Sequence, residues 1–328
     1  MNLDKFDTTF EEYLEAITLT PTQANKIEAA LKRISALALE KFADAEIYAQ
    51  GSYAYDTLAK PLTDRQSGGK AGEYDIDIVI ERPSWGEALA SLKAVEALIE
   101  GDSVFGQMSI DKTKDSCVRV NYAPDETGVS FHIDIVPTKN AGDGRQVTVR
   151  SSNEWKPSDA KEFADTFNEF ADGLPNVRPL VVILKRLRDL NDLTEDLKSV
   201  LVVTLVMQNY ISQGSVMGDL MALLEEVIGI FSDPHTPPEI SNPVNEGDDL
   251  AEGIGRYELV RDFFIEFNDK LARAVAEDDT DTLKELFGDG FDYVSAENNT
   301  AALGSITALP SQPARAYGGY NDATEQER

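Results

Sequence analysis

The chain has 328 residues, 42% of them hydrophobic, and a formal net charge of −29. This length suits two lobes, and the apolar content suffices for a real core and excludes a disordered chain. The acidity opposes attraction to duplex nucleic acid or to an anionic membrane surface.

The N-terminal MNLDKFDTTFEEY is acidic and polar, without the basic and apolar regions of a secretory signal. No run of about 18 apolar residues is present, so no membrane span is expected, and the cytoplasm is the expected location. A single cysteine, Cys117, allows no internal disulfide and no CxxC pair, and its strand-like surroundings suggest plain packing.

Residues 20–42 read as a long helix. Thr20, Pro21 and Gln23 supply an N-cap, a first-turn proline and a capping-box partner, and Ile27, Leu31, Ile34, Ala38 and Phe42 follow at helical spacing. A strand is expected over 45–49, then Gly51-Ser52 and a short helix through Leu58. Residues 64–73, DRQSGGKAGE, read as a loop.

Residues 74–81 alternate as a strand, with Ile76, Ile78 and Ile80 on one face and Asp75, Asp77 and Val79 on the other. A helix over 84–100 and strands over 116–123 and 129–136 follow. Beyond about 157 the period turns helical, with helices expected at 157–171, 177–190, 195–213, 216–231, 249–277 and 281–287. The fold class is therefore α+β. A catalytic domain over 1–155 stands beside a helical lobe over 156–294, with a cleft between them and a weakly patterned tail over 295–328.

Three segments carry chemistry. Asp75 and Asp77 are two apart on one strand, so both carboxylates face the same way. An exposed edge strand tolerates this, whereas a buried one calls for a cation. Asp134 lies among apolar neighbours in Phe131-His132-Ile133-Asp134-Ile135-Val136-Pro137, sharing its face with His132. If that strand lies beside the first, a triad able to hold two Mg²⁺, with Mn²⁺ as a substitute, is complete. Gln50-Gly51-Ser52 is a strand-to-helix turn in which Ser52 either caps a helix or offers its hydroxyl and free N–H groups to phosphate. Arg186 and Arg188 read as a solvated helix face. The two histidines are too few for a histidine metal cluster, and no P-loop spacing is present.

In this order the motifs resemble the polymerase-beta-type nucleotidyltransferases: Gly-Ser at a helix start, an acidic pair on the next strand, a third acid on a later one. The segments GSYAYDT, EYDIDIVIE and FHIDIVP, with looser matches in NEWKPSD, RPLVVILKRLRD, LKSVLVVTLV and ISNPVNEGDDL, look most like the bacterial cyclic-oligonucleotide synthases related to cGAS, the CD-NTase or SMODS-type enzymes. The resemblance runs over about residues 20 to 290. Gly247-Asp248-Asp249-Leu250 departs from the asparagine-rich stretch that the family has there.

The resemblance implies Asp75, Asp77 and Asp134 as catalytic metal ligands. It also implies Gln50, Gly51, Ser52, Thr57, Lys185 and Ser199 as nucleotide contacts, with Lys185 and Ser199 on the terminal phosphates. It further implies a cyclic di- or trinucleotide product made from nucleoside triphosphates, a role in CBASS anti-phage signalling, and an accessory partner held through the C-terminal tail. A different acceptor (tRNA, a protein, a small molecule) keeps the same site, and a non-catalytic nucleotide-binding module is the remaining alternative.

Overall fold

The computed structural model describes residues 3–62, 72–126, 128–140, 142 and 144–294. The expected 64–73 loop, apart from Gly72 and Glu73, and the 295–328 tail lie outside these residues. Along the chain run α1 (Asp7–Ile17), α2 (Pro21–Lys41), β1 (Glu46–Gln50), α3 (Gly51–Ala54), β2 (Glu73–Glu81) and α4 (Ala88–Glu100). Then come β3 (Ser109–Asp111), β4 (Val118–Tyr122), β5 (Ser130–Asn140), β6 (Arg145–Val149) and β7 (Glu154–Pro157). The remainder comprises α5 (Ala160–Ala171), α6 (Val177–Leu190), α7 (Ser199–Asn209), α8 (Val216–Ile230), the hairpin β8 (Ser241–Asn242) and β9 (Asn245–Asp249), α9 (Tyr257–Glu277) and α10 (Thr280–Phe287).

The sheet has the order β1-β2-β5-β4-β3, and β6 extends it from the far end of β5 to β7. β2 and β5 are parallel and in register, so Asp77 lies opposite Asp134 and Asp75 opposite His132. The alternation of β2 explains the two faces of the sheet. Ile76, Ile78 and Ile80 are buried with Ile133 and Ile135 against Ile27, Leu31 and Ile34 of α2 and Leu92, Val95 and Ile99 of α4. Each such side chain contributes about 1.5–3 kcal/mol on burial, which fixes the register and leaves the aspartates on the opposite face. The capping box at Thr20 and Gln23 forms as expected.

A second core joins α1 to α5 through α10, with Phe6, Phe10, Tyr13 and Ile17 inside it. α1 is not among the elements expected from the sequence. Its acidic exposed residues hide an apolar stripe at 6, 10, 13 and 17 that packs on the helical lobe rather than on the sheet. Other boundaries also move. The helix expected from 84 begins at Ala88, that of 195–213 contracts to Ser199–Asn209, and that of 249–277 begins at Tyr257, because 245–249 pairs with 241–242. β3, β6 and β7 are short strands whose apolar pattern is too brief to read in advance.

Arg186 and Arg188 are not a solvated face: both are buried. α6 is the central helix of its lobe, enclosed on most sides, and its cations reach carbonyl and hydroxyl oxygens. Arg186 donates to the Lys60 carbonyl at 3.4 Å, and Arg188 to the Leu197 carbonyl at 3.2 Å and to Ser199 Oγ at 3.1 Å.

Candidate active site

The site is assembled where β1 turns into α3. Gly51 has φ +67, a left-handed conformation that disfavours a side chain, and a Cβ placed there would lie 2.8 Å from Asp77 Oδ2. Glycine thus lets the α3 backbone approach the β2 carboxylate. Ser52 follows at once on α3, and the two residues open a cavity of about 800 Å³. Ser52, Asp75, Asp77, Lys185, Arg188 and Ser199 all line it, together with Tyr55, Leu58, Leu190 and Val200, so both the sheet and the helical lobe contribute walls. Gln50 and Thr57 are not lining residues. Gln50 is half-buried at the N-cap of α3, and Thr57 is fully buried behind Lys185.

The acidic face is crowded. Burial, and then the charges of Asp75 and Asp134, push the Asp77 carboxyl up to about 8. Asp75 is held below the usual carboxylate range by its hydrogen bond with His132. That imidazole bridges two acids, with Nε2 2.8 Å from Asp75 Oδ1 and Nδ1 3.0 Å from Glu73 Oε2. Burial lowers the His132 pKa, but its carboxylate partners outweigh this and hold it above the ordinary value. Arg119, on β4, donates from Nε and Nη2 to the two oxygens of Asp134, at 2.6 and 2.7 Å.

One ligand atom each from Asp75, His132 and Asp134 lies within 4.8 Å of the others, and Asp77 sits beside them in register. These donors are mostly hard carboxylate oxygens, and the Asp77 carboxylate is destabilised by burial and then by its like-charged neighbours. Both features fit a divalent cation of the Mg²⁺ type.

Facing the acids, Lys185 donates from Nζ to Ser52 Oγ at 2.8 Å, to the Thr57 carbonyl at 3.1 Å and to Thr57 Oγ1 at 3.1 Å. This spans 133 residues of sequence and ties α6 to the β1–α3 turn. Burial, and then Arg188, push the lysine down to about 7. An ammonium at the floor of the cavity is therefore incompletely compensated, the condition that favours an incoming anion.

The motifs and the resemblance expect Asp75, Asp77, Asp134, Gly51, Ser52, Lys185 and Ser199 at one site. The structure places all but Asp134 on the cavity wall, with Asp134 opposite Asp77 on β5, and the expectation that His132 shares the site face matches its contact with Asp75. Sequence reasoning misses Arg119 and Arg188. Arg119 sits in the alternation Val118-Arg119-Val120, which puts it on one face of a strand, but only the pairing of β4 with β5 reveals that this is the face of Asp134.

Among solved structures, the fold is similar to the CD-NTase CdnG of Bradyrhizobium diazoefficiens, determined in complex with GTP. The TM-score is 0.65 at 17% identity, covering 88% of this chain and 96% of that one. It is also similar to the cyclic AMP-GMP synthase DncV of Vibrio cholerae (TM-score 0.55, 16% identity, 88% and 87% covered). A third similar structure is the 3′-deoxy GTP-bound DncV of Escherichia coli (TM-score 0.57, 17% identity, 88% and 87% covered). A comparison with curated proteins gave no match. The family model for the Second Messenger Oligonucleotide or Dinucleotide Synthetase domain matches residues 5–170, half of the chain, and includes the Gly-Ser turn and the three aspartates. The chain belongs to the Second Messenger Oligonucleotide or Dinucleotide Synthetase domain family.

Proposed function

We propose that the chain is a metal-dependent nucleotidyltransferase that joins nucleoside triphosphates into a cyclic di- or trinucleotide and releases pyrophosphate. In this reading it serves CBASS-type anti-phage signalling in the cytoplasm, its sheet lobe (α2 to β7) and its helical lobe (α5 to α10, with α1 packed on it) closing on the nucleotide. The observation that carries the reading is one cavity with Asp75 and Asp77 on its sheet wall, Asp134 in register beside them, and the Ser52–Lys185 pair on the facing side. The likeness to a CD-NTase solved with GTP and to a cyclic AMP-GMP synthase supports it.

Asp75, Asp77 and Asp134 hold two Mg²⁺, for which Mn²⁺ can stand in. When bound, the ions supply Lewis acidity toward the acceptor hydroxyl and the leaving pyrophosphate. Ser52 and Lys185 exchange their mutual hydrogen bond for phosphate oxygens, and Ser199, held by Arg188, meets the terminal phosphate. The acceptor oxygen forms a bond to the α-phosphorus and the bond to the β-phosphate oxygen breaks. The hydroxyl proton passes to solvent, and Lys185 balances the charge of the departing pyrophosphate. A second transfer within the linear product closes the ring. Leu190 and Val200 of the helical lobe give the base an apolar wall. The C-terminal tail is the handle for an accessory protein partner. Duplex nucleic acid is not a substrate, in keeping with the charge of −29.

Incubation of the purified chain with the four ribonucleoside triphosphates and Mg²⁺, followed by phosphatase treatment and mass spectrometry, tests the reading. A phosphatase-resistant cyclic product is expected. Products that remain linear, or nucleotides attached only to an added tRNA, protein or small molecule, would overturn it.

A further inference from the structure

Arg119 plays no part in the steps above, yet it stands in the middle of the acidic face. β4 runs antiparallel to β5 with Arg119 directly opposite Asp134, so sheet geometry alone carries the guanidinium over that carboxylate. The contact is a planar fork, Nε to Oδ1 at 2.6 Å and Nη2 to Oδ2 at 2.7 Å, which engages both oxygens of Asp134. Nη2 also lies 3.8 Å from Asp75 Oδ1. Both partners are sheltered, with side-chain exposures of 19% for Arg119 and 10% for Asp134, so solvent screens the pair only weakly. A divalent cation that uses Asp134 needs one of the oxygens that Arg119 now occupies. It also enters as a like charge beside the guanidinium.

We propose that Arg119 is a positioning residue that serves as the counter-cation of the metal-free site. It holds the Asp134 carboxylate in place, gives up one of its two bonds when a divalent ion is bound, and thereby weakens and sets the metal affinity. This rests on the metal-dependent reading of the same aspartates. Two consequences follow with opposite signs. Without metal, Arg119 relieves the repulsion among Asp75, Asp77 and Asp134 and stabilises the fold. With metal, it opposes binding. A unit charge within about 4–6 Å commonly moves a charge-coupled equilibrium by one to three powers of ten. Removing it should therefore tighten the ion by about tenfold.

The test is Mn²⁺ titration, read by the electron paramagnetic resonance of the free ion, with no nucleotide present, on the parent, Arg119→Met, Arg119→Lys and Asp134→Asn. Each is paired with a thermal melt in EDTA and in saturating Mn²⁺. Arg119→Met is expected to bind Mn²⁺ about tenfold more tightly, to melt below the parent in EDTA, and to recover that loss in Mn²⁺. Arg119→Lys, which offers a point charge in place of a fork, should bind with intermediate affinity. Asp134→Asn should bind more weakly. If Arg119→Met does not fold, Arg119→Lys carries the affinity comparison. A folded Arg119 variant that binds Mn²⁺ no more tightly than the parent overturns the proposal, as does an Asp134→Asn protein with parental Mn²⁺ affinity. Nucleotide products do not enter this measurement. A chain that makes no cyclic product but shows the expected Mn²⁺ shifts loses the synthase reading and keeps this one.

Discussion

Replacing Gly51 with alanine probes a close approach of backbone to carboxylate in the site. Gly51 holds φ +67, and an added Cβ would meet Asp77 Oδ2 at 2.8 Å. The backbone penalty for an L residue in the left-handed region is about 1–2 kcal/mol. Relief of the contact requires Asp77 Oδ2 to recede by on the order of 0.5 Å to reach ordinary van der Waals separation. The carboxylate cannot withdraw freely, because its strand is pinned by Ile76 and Ile78 in the core beneath. A displacement of that size at a reacting centre costs roughly ten- to a hundredfold in rate. Gly51→Ala should therefore lose about 1–2 kcal/mol in urea denaturation and fall about ten- to a hundredfold in pyrophosphate release, with weaker Mn²⁺ binding. A variant with parental stability and parental turnover would refute the argument that glycine is present to let α3 reach Asp77.

Asp75→Ala combined with Asp77→Ala should abolish product formation while the far-ultraviolet circular dichroism and cooperative melting persist, since the core face of β2 is untouched. Near-parental turnover would remove these residues from the mechanism. Lys185→Met should weaken triphosphate binding by about tenfold, measured by calorimetry, because one charge-assisted contact is lost.

Lys185 also predicts a pH dependence with a definite sign. Its folded pKa, about 7, lies below its ordinary value of 10.5, so the unfolded chain holds the extra proton between those limits. The burial penalty is full below pH 7 and fades as pH rises toward 10.5. The parent should thus gain on Lys185→Met, by on the order of 2–4 kcal/mol across that window in chemical denaturation, and a flat difference would contradict this. Phe10→Ala should cost about 3–5 kcal/mol and lower the melting temperature without altering Mn²⁺ affinity. Phe10 is fully buried, 5.4 Å from the Phe287 ring and 5.2 Å from the Phe291 ring, in the helical-lobe core and not in the one beneath β2.

Local periodicity made much of the fold legible. The period-2 alternation of β2 assigns its isoleucines to the core and its aspartates to the other face, because burying the wrong set would cost several kcal/mol. The same logic gave the long capped helix α2, the length of α6, and the position of Ser52 after a glycine turn. The amphipathic stripe of α1 was equally present in the sequence, but its charged residues disguised it until its partner surface on α6, α8 and α10 was known. The boundary near 250 failed for a different reason. Asp248 and Asp249 belong to a hairpin whose hydrogen bonds reach Asn242 and Ile240, a pairing that helical spacing does not encode.

The sequence by itself determined which carboxylates share a strand face and which turn lies before them, because residues two apart on a strand must point the same way. Only the tertiary structure decided what neutralises those carboxylates. The parallel register of β2 and β5 brings His132 to Asp75, the antiparallel register of β4 and β5 brings Arg119 to Asp134, and the enclosure of α6 turns Lys185, Arg186 and Arg188 inward. These contacts join residues far apart in the chain. Their partners are chosen by which surfaces pack and in what register, a choice made by the summed burial of both cores and not by any local pattern.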